Sequence, residues 1–165
     1  DPSLQVVEHD LTRMALQPVS AQLLAQKEAL CDAGDWSHPL LQPALTFAQS
    51  ELVLIGAPYW DLSFPAKLKM YLERCSVDKL TFIYDDHGVP HGQCRADSLT
   101  YITTAGGFIG DMNFGFDYVK GLCSFLFGIK KFHFAAADGI DIVGIDVNAK
   151  LEEAKAKLAE IAAEI

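Results

Sequence analysis

The chain has 165 residues, half of them hydrophobic and 21% charged, and carries a net charge of −9. That length suits one domain with a sizeable core, and the negative charge excludes a nucleic-acid partner, whose phosphates would be repelled. No apolar run reaches the roughly 18–20 residues of a membrane span, so a soluble protein with no membrane partner is expected.

Cys31, Cys75, Cys94 and Cys123 form no CxxC pair. In a domain this large they read as free thiols of a reducing, cytoplasmic compartment and not as disulfide staples. The sequence opens Asp1-Pro2 with neither a secretory signal nor a methionine, and the natural N-terminus is expected further upstream.

In chain order, residues 4–10 (LQVVEHD) read as a short strand rich in branched side chains. Ser20 is placed to cap a helix through AQLLAQKEAL, which Gly34 ends. Ser37 and Pro39 open a second helix towards Ser50, with a kink expected at Pro43. Residues 52–57 (LVLIGA) form a continuous apolar run, as expected of a strand buried on both faces. Ser63 and Pro65 start another helix, with Leu68, Tyr71, Leu72 and Cys75 at helical spacing. Residues 80–92 read as a hairpin turning at Asp86-His87-Gly88. A third strand covers residues 98–103 and ends in the turn Ala105-Gly106-Gly107. An apolar helix follows over residues 116–127, then a strand over 131–137, then an amphipathic helix capped by Asp146 or Asn148.

Strands alternating with helices imply an α/β fold, a doubly wound parallel sheet with helices on both faces. Ligands of such sheets bind outside the carboxyl ends of the strands, where the strand order reverses. Residues 58–63 and 104–111 land there. By themselves Gly106-Gly107 also fit a plain strand-end turn, and Tyr59-Trp60 also fit an exposed interface patch. Asp85, Asp86, His87 and His91 have spacing compatible with a metal, but a solvated turn is the simpler reading, and no metal site is assigned. His133 is expected to be a satisfied core histidine, whereas His9 and His38 have no recognisable partner.

The segment LVLIGAPYWDLSFPAKLKMYLERC resembles the loop-and-helix segment of the flavodoxin-like NAD(P)H:quinone reductases and FMN-dependent azoreductases. TFIYDDHGVPHG is similar to that family's hairpin, YITTAGG to its fourth strand with a glycine pair, and FHFAAADGID to its last strand. The resemblance implies FMN as cofactor, with FAD in the mammalian branch, and NAD(P)H as co-substrate. It implies hydride transfer through the flavin to a quinone-like or azo acceptor. Pro58, Tyr59, Trp60, Asp61 and Leu62 would then form the first loop against the flavin ring, and Thr104, Ala105, Gly106 and Gly107 the second. Tyr59-Trp60 would supply an aromatic wall, and Gly106-Gly107 would let backbone N–H groups reach the ring edge, where negative charge develops on reduction. Hydride transfer needs no side-chain acid or base, so no catalytic residue is named.

Two departures stand out. Asp61 takes the place of an amide, and Ala105 that of a larger polar residue. The family also starts with a strand, a phosphate-holding loop and a helix, whereas Asp1 here aligns just before its second strand. That first unit is therefore expected to be missing, leaving a gap beside the strand at residues 52–57. The whole of residues 1–165 is read as one flavin-binding domain. A homodimer is expected, with Tyr84 and the helix at residues 116–127 near its interface. The alternative is a flavodoxin-like structural or interaction domain without flavin.

Overall fold

The computed structural model of the protein describes residues 4–165. Asp1, which the resemblance aligns just before a second strand, lies outside them. Ser20 caps α1 (Ala21–Ala33), its hydroxyl accepting the Leu23 N–H at 3.1 Å, and Gly34 closes the helix in a left-handed conformation. The second helix, α2 (Gln42–Gln49), begins later than expected, because residues 37–41 form turns in which His38 Nδ1 accepts the Leu40 N–H at 3.1 Å. Pro43 falls in the first turn of α2, where a missing N–H breaks no bond, so it starts the helix and does not kink it.

The remaining elements are β1 (Leu52–Gly56), α3 (Ala66–Cys75), β2 (Phe82–Tyr84), β3 (Pro90–Gly92), β4 (Ser98–Ala105), α4 (Phe114–Phe125), β5 (Lys131–Asp138) and α5 (Val147–Glu164). Asp146 is the cap of α5, accepting the Ala149 N–H at 3.1 Å. The main sheet runs β1-β4-β5, all parallel, with Leu54, Thr100 and His133 in one row across it. β2 and β3 form a separate antiparallel hairpin. It seats against the end of α4 through a backbone contact that only glycine permits. A Cβ on Gly92 would lie 2.2 Å from the Gly128 nitrogen.

Alternation along the strands assigns the two faces of the sheet. Val53, Ile55, Leu99 and Tyr101 pack with Phe47 of α2, Leu72 and Cys75 of α3, and Val119 and Cys123 of α4 in the main core. The opposite face carries α5, which packs along β5. α5 does not extend over β1, so Leu54 is 63% exposed. The expectation that this strand is buried on both faces is thus corrected: only Val53 and Ile55 are covered.

Residues 4–10 are not a strand. They pair with no ladder, and side chains of α3 hold the segment's end away from β1. His9 Nδ1 and the Tyr71 hydroxyl share a 2.7 Å hydrogen bond, and Lys67 donates to the carbonyls of Leu11 and Thr12 at 3.0 and 2.9 Å. His9 therefore has a partner that the sequence did not reveal. Among the described residues β1 is paired on one side only, and between it and residues 6–12 runs a largely apolar cleft of about 1080 Å³. His133 corrects a further expectation. Its Nε2 is buried with no hydrogen-bond partner among the described residues, and Nδ1 lies 3.9 Å from the Glu164 carboxylate.

The far end of α3 is fixed by a buried cation. Lys27 of α1 donates to the carbonyls of Glu73 at 3.0 Å and Ser76 at 2.7 Å, satisfying acceptors that a helix end leaves open. Burial holds the Lys27 ammonium below its ordinary pKa.

Candidate functional site

The parallel pairing of β1 and β4 brings their carboxyl ends together, and the ladder continues past β1. Ala57 N–H donates to Ile102 O and Tyr59 N–H to Thr104 O, each at 3.0 Å. Pro58, Tyr59, Trp60, Asp61 and Leu62 therefore lie beside the end of β4, as the sequence predicts. Trp60 and Ser63 exchange backbone hydrogen bonds at 3.0 and 2.8 Å, closing a two-residue turn over Asp61 and Leu62. Both central residues have positive φ, 50° and 67°. That is the geometry of a type I′ turn, which normally uses asparagine or glycine. Leucine in this conformation is strained, and such strain clusters where a loop meets a ligand. Trp60 stands beside the turn, 61% exposed.

Thr104 and Ala105 complete β4 and so belong to strand, where the sequence predicts a turn at Ala105. Ala105 is 2% exposed, and its side chain cannot touch a ligand. Beyond it the chain joins the turn that follows β5. Ile140 N–H donates to Ala105 O at 3.2 Å, Asp141 N–H to Gly106 O at 3.0 Å, and Gly139 N–H to Gly107 O at 3.0 Å. In a trans peptide the N–H points opposite to the carbonyl of the same plane. The N–H groups of Gly106, Gly107 and Phe108 therefore face away from that turn, and among the described residues no protein acceptor takes them.

The glycine pair is asymmetric. A Cβ on Gly107 would meet nothing within 4 Å, whereas one on Gly106 would lie 2.2 Å from Asp141 Oδ2. A side chain at Gly106 would strike Asp141, and Gly107 borders the open side.

Three donors in a row beside an exposed aromatic and a strained turn fit the edge and face of a flat heteroaromatic ring. A phosphate fits less well. Lys67 is engaged by the Leu11 and Thr12 carbonyls, and Lys69 by Glu73. The large cleft along β1 is lined by Pro58 and Trp60 but by no other candidate residue, so the two loops stand at its end and do not enclose it. Asp85 spends its carboxylate on the hairpin turn, accepting the N–H groups of His87 and Val89 at 2.9 Å and pairing with His91 at 3.0 Å. This is the turn reading of that cluster.

Sequence reasoning placed residues 104–111 at the strand ends but missed the turn at residues 138–141 and the tie at Met112. Asp138 Oδ2 accepts the Ile109 N–H at 3.0 Å, and the Tyr59 hydroxyl donates to Met112 O at 2.7 Å. A signal was available: Asp138-Gly139 ends a third parallel strand, on the same edge of the sheet as the two loops.

A parallel sheet with helices on both faces and long loops gathered at the strand ends defines a flavodoxin-like α/β domain. Residues 1–162 match the family described as a flavodoxin-like fold, and the chain belongs to it. An FMN-dependent NADH:quinone oxidoreductase of Clostridium perfringens is 30% identical over 164 residues, covering 98% of this chain and 82% of the relative. One from Lachnoclostridium phytofermentans is 34% identical over 142 residues, covering 83% and 71%. In fold the chain is similar to an azoreductase from Bacillus anthracis str. Sterne, with a TM-score of 0.81 at 22% identity, covering 99% of this chain and 84% of the other.

Proposed function

We infer that the protein is a flavin-dependent oxidoreductase that takes hydride from NAD(P)H and delivers it to a small quinone-like or azo acceptor. The observation that carries the reading is the free N–H row of Gly106, Gly107 and Phe108, set beside Trp60 and the strained Asp61–Leu62 turn in a chain of this family. FMN is the cofactor that the relatives' names support, and it supplies the two-electron hydride chemistry when bound. The chain's own part is to hold the ring. Tyr59 and Trp60 offer an aromatic wall, Pro58, Asp61 and Leu62 shape the first loop, and Thr104 and Ala105 lead β4 into the donor row of Gly106, Gly107 and Phe108. All of residues 1–165 serve as one flavin-binding domain. The reading as a flavin-free interaction domain is not favoured by these relatives.

The protein is further proposed to act as a cytoplasmic homodimer. Its cysteines are free thiols, in keeping with a reducing compartment. Phe125 of α4 is 70% exposed and Tyr84 of the neighbouring hairpin 56%, a pair of aromatics suited to an interface. Sedimentation as a monomer at micromolar concentration would count against the dimer. The test of function is to titrate the protein with FMN, following flavin fluorescence, and then to assay NADH oxidation with a quinone and an azo dye. Saturable binding and acceptor-dependent turnover are expected. Failure to bind FMN would overturn the reading.

A further inference from the structure

The turn after β5 does more than occupy three carbonyls. Asp138 fixes the Ile109 N–H at the far end of the donor row. Asp141 stands over the bare Cα of Gly106, its carboxylate filling the place of a side chain there, 2.2 Å from an ideal Cβ for Oδ2 and 2.9 Å for Cγ. The carboxylate is exposed, and among the described residues it takes part in no hydrogen bond or ion pair. Packing alone does not call for an acid at this position. A charge here acts on the adjacent donor row over a short distance, weakened by the water around the carboxylate.

We propose that Asp141 is a positioning residue of the ring site. By donating its N–H to Gly106 O and standing over Gly106, it aims the Gly106–Phe108 donors away from itself and towards the ring edge. Its charge opposes the negative charge that the same donors stabilise, so the site holds reduced flavin less tightly and favours onward transfer of the hydride to the acceptor. Asp61, on the first loop, adds a second carboxylate of the same sign. The inference rests on the flavin reading and assigns to this chain a residue that tunes it.

The test measures binding of oxidised and of photoreduced FMN by the unaltered protein, Asp141→Asn and Asp141→Ala. Asp141→Asn keeps the shape and removes the charge. It should raise the affinity for reduced relative to oxidised flavin about two- to fivefold, and fivefold corresponds to about 20 mV in midpoint potential. Asp141→Ala should produce the same change in ratio and weaken both forms as the turn loosens. Without flavin, Gly106→Ala should lower the melting temperature, and Asp141→Gly in the same chain should restore it. If the unaltered protein binds flavin and neither Asp141 variant changes the ratio, the inference is overturned and the site stands. If the unaltered protein binds none, the functional reading falls and takes this inference with it.

Discussion

The Tyr59 hydroxyl donates a 2.7 Å hydrogen bond to the carbonyl of Met112, tying the loop after β1 to the segment that leads into α4. One side chain thus links two stretches of chain that share no ladder. Tyr59→Phe keeps the ring and removes the link. A hydrogen bond of this kind contributes about 0.5–1.5 kcal/mol, so flavin affinity should fall by about two- to tenfold with little change in global stability. Fluorescence titration beside a thermal melt reads both. Unchanged affinity would show that the link does not order the site.

Gly107 and Gly106 should respond differently to the same substitution. Space is open at Gly107, so Gly107→Val should fold with stability within about 0.5 kcal/mol of the parent and lose flavin by filling the ring space. Gly106→Val drives its side chain into Asp141, and both stability and binding should fall. Equal behaviour of the two variants in melting experiments would refute the asymmetry.

Leu62 has φ 67° in a type I′ turn. Leu62→Gly removes the left-handed penalty and should raise stability by about 1 kcal/mol in urea unfolding. Flavin affinity should drop, because the apolar side chain of the first loop goes with it. A stability loss would mean that the turn is not strained.

Alkaline pH should unfold the protein through its buried thiols. Burial pushes Cys75 up to about 12 from an ordinary 9.0, and Cys123 shifts the same way. Folded-state values above the unfolded ones mean that stability is whole below pH 9 and is lost as pH rises towards 12. Each such thiol costs about 1.4 kcal/mol per pH unit in that window. Lys27, shifted down by burial, works in the opposite sense below 10.5 and offsets part of the loss. Cys75→Ala should flatten the fall between pH 9 and 11 while lowering stability at pH 7. An unchanged slope would exclude the thiol as its source.

Riboflavin and FMN should bind the 165-residue chain with similar affinity. The ring contacts are common to both, and Lys67 and Lys69, the bases that follow the first loop, are already engaged. A preference for FMN above about tenfold would reveal phosphate donors outside those lysines.

Much of this was legible in the sequence because it is encoded locally. Ser20 as a cap, the turn ending at Gly88 and the apolar runs of β1 and β4 each depend on residues a few positions apart. The neighbouring positions of the loops after β1 and β4 were legible because parallel strands place their ends together. What the sequence hid was set by partners distant along the chain. His9 meets Tyr71 across 62 positions, residues 4–10 are held by α3 and join no ladder, and the exposure of Leu54 depends on how far α5 extends. Asp141 escaped notice for the same reason, since its contact with Gly106 exists only once β4 and β5 are paired.

Among the described residues, the side of β1 away from β4 has the character of an inner strand and not of a sheet edge. Its five residues, LVLIG, include no proline, lysine or other charge of the kind that guards a free strand edge. Leu52 and Leu54 lie bare next to unbonded backbone groups. A strand supplied from outside residues 4–165 would complete the pairing of β1 and cover both leucines, and a lysine at position 54 should weaken that docking.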